Sequence, residues 1–370
     1  MTHKIKKIFI IAGEPSGDIH AANLVKAIKK ESPNINFIGT GGDKMKMEGV
    51  NILTHIDQLS VMGFVEVLKH LPRILIIMNK TIRQIKEINP DKIILVDYPG
   101  FNLRLSKKIK HLNIPIIYFI LPQLWAWKEN RINIMKKTLN KSISIFPFEA
   151  EWYNSKGLKT IYEGHPLIEK KSKNQKNDFF IKHGLNPKNP VLVLLPGSRQ
   201  QEVYYHWPEF LKVCDMLKRK ISDLQIIVAK SNNVTITPMP SYMKIEKDSN
   251  WAIENGTAGI CSSGTATLEC ALKKLPTVVC YKMSKINWFL FNYFGKVKYI
   301  SIVNLIADKE IIPELIQKNM TAEKIIEKLI PYFNIASESR NNTIDSYKKL
   351  KTQLGSPGVF NRIAKYIIKN

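Results

Sequence analysis

The sequence predicts an α/β protein made of two parallel-sheet domains, and three observations carry that reading. Short apolar runs ended by Gly- or Pro-bearing turns alternate with longer amphipathic stretches in both halves of the chain. A polar, lysine-rich segment, 169–190, separates the halves. In the second half, two of the strand-ending turns have the composition of anion-binding turns: Pro196-Gly197-Ser198-Arg199, and Ser262-Ser263-Gly264-Thr265.

In chain order, Lys7–Ala12 reads as a buried strand. It runs through Gly13-Glu14-Pro15-Ser16-Gly17-Asp18 into a helix expected from about Ile19 to Lys30, with Asp18 as its natural N-cap. The turn is not GxGxxG, and no acid sits at the end of a second strand, which disfavours a nicotinamide site. Phe37–Gly39 is a second short strand, ending in small residues that suit either a simple turn or close backbone approach by a ligand. Leu59–Met78 has Val61, Phe64, Val65 and Leu68 at helical spacing, interrupted by Gly63 and Pro72. It reads first as a core-facing helix pair. The alternative is an apolar surface flanked by Lys69, His70, Arg73 and Lys80 that sits on a membrane.

Pro90–Val96 is a strong strand ending in Asp97, and Ile114–Ile120 is the next, leading to Trp125 and Trp127 on one loop. Residues just past the carboxyl ends of parallel strands line the ligand crevice, which singles out Asp97. The two tryptophans suit core packing or a platform for a sugar or acyl chain. Ser142–Phe146 and Thr160–Tyr162 continue the pattern. The second half offers strands at Val191–Leu195, Leu224–Ala229, Gly259–Cys261 and Pro276–Cys280, and a helix over Glu209–Lys220. The small hydroxyl residues opening the helix after Cys261, with Glu269 about one turn in, suit a diphosphate with its ribose alongside. Arg199 adds a planar guanidinium suited to phosphate. Ile286–Phe294 is the most aromatic run and reads as core, dimer contact or membrane contact. Glu310–Ile316, Thr321–Tyr332, Asp345–Leu354 and Val359–Lys369 are expected to be helices.

With 370 residues and 44% hydrophobic content, the chain supports two cores. Its four cysteines form no CxxC pair, which points to a reducing compartment. The apolar part of Lys4–Ala12 is too short for a signal peptide, and no apolar run approaches the ~18 residues of a spanning helix. The net charge of +25 invites an anionic partner, but only eight of the 56 basic residues are arginine. Without clustered Arg or an RNP-like motif, nucleic acid is not the expected partner.

Placed together, these motifs resemble the lipid-A-disaccharide synthase family, inverting glycosyltransferases of the GT-B fold. The resembling stretches are AGEPSGDIHAANL (Ala12–Leu24), GGDKMKMEG (Gly41–Gly49), MGFVEVL (Met62–Leu68) and DYPGFNLRL (Asp97–Leu105). They continue with LPQLWAWKENR (Leu121–Arg131), GHP (Gly164–Pro166), LLPGSRQQEV (Leu194–Val203), SSGTATLECAL (Ser262–Leu272) and VNLIADKEIIPELIQ (Val303–Gln317). The resemblance implies two Rossmann-like domains facing each other across a central cleft. The expected division is 1–168 for the acceptor and membrane-facing domain, 169–190 as linker and 191–345 for the UDP-sugar domain. The terminal helices, 346–370, are expected to pack back on the first domain.

It implies transfer of 2,3-diacylglucosamine from UDP-2,3-diacylglucosamine to 2,3-diacylglucosamine 1-phosphate, giving the β-1,6 disaccharide phosphate and UDP. No metal or other cofactor is expected, and the sequence has no HxxxH, strand-end DxD or Cys/His ligand cluster. Gly197, Ser198, Arg199, Ser263, Gly264, Thr265, Glu269 and Asn304 would hold the UDP-sugar. Ser16, Gly17, Glu66, Asn102 and Trp125 would lie on the acceptor side. Asp97 is the first candidate for general base and Asp18 the second, with Arg199 neutralising the leaving diphosphate. Some members carry DxPDFN, with a second acid where this chain has Gly100. The expected location is cytoplasmic, on the inner face of the inner membrane, as a monomer or homodimer without nucleic acid. The alternatives are another UDP-sugar enzyme such as UDP-N-acetylglucosamine 2-epimerase, a two-lobed binding protein and, from charge alone, a nucleic-acid binder.

Overall fold

A computed structural model describes residues 5–59, 71–169, 176–285, 287–289 and 297–369. The chain forms two compact units, Met1–Glu169 with Gly355–Asn370, and Lys170–Leu354.

The first unit is built on seven parallel strands: β1 (Lys7–Ala12), β2 (Asn36–Gly41), β3 (Asn51–His55), β4 (Lys92–Val96), β5 (Ile116–Phe119), β6 (Lys141–Ser144) and β7 (Thr160–Tyr162). Their order is β3-β2-β1-β4-β5-β6-β7. Past their first residues, Lys7 and Lys92, β1 and β4 are apolar because helices cover both faces of the sheet; Ile8 to Ala12 and Ile93 to Val96 are all buried. The covering helices described are α1 (Pro15–Glu31), α2 (Asp43–Met47), α3 (Leu71–Ile88), α4 (Pro99–Ile109), α5 (Ile132–Thr138) and α6 (Pro147–Ser155). Helix α1 starts four residues earlier than expected, with Pro15 at its first turn. Asp18 is therefore not its N-cap. Its carboxylate instead accepts from the N–H groups of Gly42, Lys44 and Met45 at 2.8, 3.0 and 3.1 Å and so caps α2.

The second unit has six parallel strands: β8 (Val191–Leu195), β9 (Gln225–Ala229), β10 (Met243–Glu246), β11 (Ala258–Cys261), β12 (Thr277–Tyr281) and β13 (Glu314–Ile316). Their order is β10-β9-β8-β11-β12-β13. The stretch Glu310–Ile316, expected as a helix, ends as this edge strand; Pro313 removes a helical donor and the following residues pair with β12. The polar segment expected as linker contains α7 (Lys176–His183). Phe179 and Phe180 bury against Val191, Val193 and Ile253 there, so the lysines mask a core-facing turn. The remaining described helices are α8 (Gln200–Lys220), α9 (Ser249–Asn255), α10 (Thr265–Leu272), α11 (Ile302–Ala307), α12 (Ala322–Leu329), α13 (Glu338–Gln353) and, in the first unit, α14 (Val359–Ile368).

A boundary at 345/346 would cut α13, which is held to the second unit by Arg340 on the Thr257 carbonyl and Tyr347 on the Leu275 carbonyl. Helix α14 belongs to the first unit. Its first turn is capped by Glu169, which accepts from Gly358 and Val359. Its last carbonyls, of Tyr366 and Ile367, each accept a 2.7 Å hydrogen bond from Lys141 and Lys92.

Each unit is a Rossmann-like doubly wound sheet. Strand order reverses between β1 and β4 in the first and between β8 and β11 in the second. Ligands of such sheets bind past the carboxyl ends of the strands at that reversal. The turns there are Gly13-Glu14 and Asp97-Tyr98 in one unit, and Pro196–Arg199 and Ser262–Gly264 in the other.

Candidate active site

In the second unit the reversal point opens into a cavity of about 660 Å³. Gly197, Ser198 and Arg199 line it from the turn after β8, and Ser262, Ser263, Gly264, Thr265 and Glu269 from the end of β11 and the start of α10. The two N-termini meeting there differ. Just before α8 the chain's own Glu202 fills the turn, its Oε2 accepting from the N–H groups of Ser198 at 2.9 Å and Arg199 at 3.2 Å. The N-terminus of α10 has no side-chain cap, and its N-cap Gly264 sits at φ 115°. Among the described residues no hydrogen bond uses the N–H groups of Gly197, Gly264, Thr265 or Ala266. Within the Pro196–Arg199 turn, the Ser198 and Arg199 N–H groups are thus already taken. A carboxylate already occupies that part of the turn, and among the described residues the open donors include Gly197 N–H and the first turn of α10. The Arg199 guanidinium, 74% exposed, lies 3.6 Å from Glu202.

Sequence reasoning missed the other half of this cavity. Lys230, Ser231, Asn232 and Asn233 follow β9, and Lys247 and Ser249 follow β10. The strand-end rule was the available signal for Lys230. For Lys247 there was none, because β10 alternates and reads poorly as a strand. Asn304, expected near the donor, does not line the cavity. It is fully buried. Its amide nitrogen donates to the Ile312 carbonyl and to Glu314, and its oxygen accepts from Ile311 and Ile312, so it ties α11 to the edge strand.

In the first unit Asp97 follows β4 with φ 48° and Tyr98 follows it with φ 50°, two consecutive left-handed residues. The pair is held because the Asp97 carbonyl accepts from Asn102 Nδ2 and from Tyr118 Oη, each at 2.7 Å. The Tyr98 ring leaves no room for a side chain at Gly13, where an added Cβ would lie 2.2 Å from it. Burial, and then the Glu14 carboxylate, push the Asp97 carboxyl up to about 6. Asn102, expected on the acceptor side, is therefore a buried brace for Asp97. Ser16 is exposed in the first turn of α1, and Gly17 is buried behind it. Trp125 donates its indole N–H to buried Glu149 at 3.0 Å, and Ser144 donates to the same carboxylate at 2.7 Å. Burial raises the Glu149 carboxyl to about 7. Glu66 lies outside the described residues. Asp18 is buried with three N–H partners, which commits it to α2.

Among the described residues no group of three His, Cys, Asp or Glu converges as a metal site. None of the described helices is long and apolar enough to cross a membrane.

Solved structures with this fold include a UDP-GlcNAc 2-epimerase from Neisseria meningitidis bound to UDP-GlcNAc. It matches at a TM-score of 0.67 and 10% identity, over 98% of this chain and 100% of that one. The calicheamicin glycosyltransferase CalG4 matches at 0.61 and 13%, over 99% and 98%. At such identities the likeness is one of fold. Sequence relatives are closer. Lipid-A-disaccharide synthase of Myxococcus xanthus is 33% identical over 98% of this chain and 97% of the relative. Lipid-A-disaccharide synthase 1 of Legionella pneumophila is 35% identical over 95% and 94%. The family model for lipid-A-disaccharide synthetase matches residues 8–365, a span containing both reversal points and every turn described above. Two doubly wound sheets, an open helix N-terminus beside an arginine, and matching sequence across nearly the whole length place the chain in the lipid-A-disaccharide synthase family.

Proposed function

We propose that the second unit holds UDP-2,3-diacylglucosamine by its diphosphate, at the first turn of α10, and that Asp97 of the first unit is the base of an inverting glycosyl transfer. The protein is a glycosyltransferase of lipid A synthesis. It joins the 2,3-diacylglucosamine of that donor to 2,3-diacylglucosamine 1-phosphate, forming a β-1,6 bond and releasing UDP. The observation that carries this reading is one cavity lined both by the first turn of α10, which has no side-chain cap, and by Arg199.

The reaction has two electrostatic demands. Negative charge grows on the leaving diphosphate as C1 is attacked. Open N–H groups, the α10 dipole and the Arg199 guanidinium are fixed donors for that charge, and such preorganisation is often the largest catalytic contribution. In this reading Glu269, about one turn into α10 and lining the same cavity, takes the ribose diol. The acceptor's 6-hydroxyl must also lose its proton. A carboxyl held at about 6 is mostly ionised at neutral pH yet more basic than an ordinary aspartate, which suits a general base.

Both substrates are amphiphiles, so the chain must meet them at a lipid surface. The supporting feature is the start of α3. Ile74, Ile77 and Met78 are core, whereas Leu75 and Ile76 are 44% and 68% exposed beside the exposed Arg73, Lys80 and Arg83. Apolar insertion with flanking cations is the pattern of reversible binding to anionic lipid. The residues before Leu71 in the expected membrane segment lie outside those described, as does most of Ile286–Phe294.

The experiment is product analysis with acylated and non-acylated acceptors in parallel. Disaccharide and UDP are expected only from the acylated pair. Equal use of a soluble acceptor, or release of a 2-epimer, would replace this reading with the soluble-acceptor or epimerase alternative.

A further inference from the structure

A histidine that is not among the residues lining the cavity contacts the Pro196–Arg199 turn, and neither the sequence motifs nor the mechanism uses it. His206 is fully buried one and a half turns into α8. Its Nδ1 lies 3.0 Å from the Pro196 carbonyl oxygen, and its Nε2 lies 3.0 Å from the backbone nitrogen of Lys282, just past β12. A carbonyl only accepts and a backbone N–H only donates. Both contacts are therefore satisfied together by one state alone, the neutral ring with its proton on Nδ1. Burial lowers the pKa of the ring and favours that neutral state. Phe210 and Tyr281 pack against the ring, with centroids 6.1 and 5.5 Å away.

The consequence runs through the Pro196–Gly197 peptide. A planar trans peptide sets its carbonyl and the next N–H on opposite sides. Fixing the Pro196 carbonyl on the imidazole therefore directs the Gly197 N–H away from it. Gly197 lines the cavity, and its N–H has no acceptor among the described residues. Gly197 sits at φ 125°, where glycine permits the peptide to turn over at little cost. Something must choose between the two orientations. Glu202 does not, because it holds the N–H groups of Ser198 and Arg199, one and two residues further on.

We infer that His206 is a positioning residue for nucleotide binding: by holding the Pro196 carbonyl it presents the Gly197 N–H to the diphosphate. This rests on the reading of the cavity as the UDP site. The Lys282 contact, in contrast, anchors the ring without bearing on the turn.

Two substitutions separate the contacts. In His206→Asn the amide nitrogen takes the place of Nδ1 and keeps the Pro196 bond. In His206→Gln the amide oxygen reaches the place of Nε2 and keeps the Lys282 bond. Each loses one buried partner, so melting temperatures should fall by similar amounts. UDP affinity and donor KM should part company: near wild type in the Asn variant, and weakened on the order of tenfold in the Gln variant. Restoration by Asn and not by Gln is an outcome that a purely structural role would not give. Equal losses in both variants, or wild-type UDP affinity in both, would overturn the proposal. Nitrogen-15 NMR of the histidines in the wild-type protein needs no variant. It should show His206 neutral with its proton on Nδ1, and its signals should move on saturation with UDP. A proton on Nε2, or signals indifferent to bound UDP, would also overturn it. Failure of the wild-type protein to bind UDP at all would instead remove the cavity reading, and this proposal with it.

Discussion

At the residue scale, Asp97 and Arg199 have separable signatures. Asp97→Asn should lower kcat by roughly 10²–10⁴-fold while leaving UDP affinity near wild type, because the amide keeps the shape and cannot accept the proton. The pH profile gives the sign. With the carboxyl raised to about 6, activity should be full above that pH and fall as pH drops through it. Glu14 contributes to the rise by like charge, so Glu14→Gln should move this acid limb to lower pH; an unmoved limb would detach the two carboxylates. Arg199→Ala should lose on the order of 10²–10³ in turnover with the fold intact, and Arg199→Lys should recover only part, since lysine lacks the planar fork. The positions of Asp97, just past β4, and Arg199, in the turn after β8, were legible because each follows a continuous apolar run in the sequence. Glu202 was legible in principle, three residues after Arg199 at capping-box spacing. His206 was not. Its partners, Pro196 and Lys282, meet only after β8 and β12 enter one sheet.

At the scale of elements, strands buried on both faces, such as β1, β4 and β8, read correctly from sequence, as did the edge strand β7. The short or edge strands β3, β10 and β13 were missed, since a half-exposed strand of three to five residues has no continuous apolar run. Helix α7 was missed for the opposite reason, its two phenylalanines hidden among lysines. Helix α3 carries a prediction of its own. Its apolar residues divide between core and solvent, so Leu75→Ser with Ile76→Ser should leave folding and solution kinetics intact while weakening binding to anionic vesicles. Lys80→Glu should weaken that binding chiefly at low salt. Vesicle sedimentation across a salt series checks both; wild-type binding by the double serine variant would remove α3 as the docking surface. Buried Glu149 gives a stability test. Its carboxyl is raised to about 7, so the folded state holds a proton that the unfolded state has released. Melting temperature should fall as pH rises from about 5 through 7, and Glu149→Gln, which keeps a hydrogen-bonding group for Trp125 and Ser144, should flatten that fall.

At the scale of the molecule, two Rossmann-like units were legible as two runs of βα alternation; the expected end of the first at 168 lies one residue from Glu169, whereas the point of return to it lies at 355 and not at 346. The chain returns to the first unit at 355, and α14 is fixed there by Glu169, Lys92 and Lys141, residues 189 or more positions earlier in the sequence than the groups they hold. No local pattern announces such a return. The division of labour predicts where UDP alone should be felt. Amide exchange should slow at the turns after β8, β9, β10 and β11, with the sheet of the first unit unchanged. The most direct test of the account is a single incubation with UDP-2,3-diacylglucosamine and 2,3-diacylglucosamine 1-phosphate, followed by mass and anomeric analysis of the product. The account predicts the β-1,6 disaccharide phosphate and one UDP for each disaccharide, undiminished by a chelator and abolished by Asp97→Asn. UDP released without an acceptor, an α-linked product, or full turnover by the Asp97→Asn variant would contradict it.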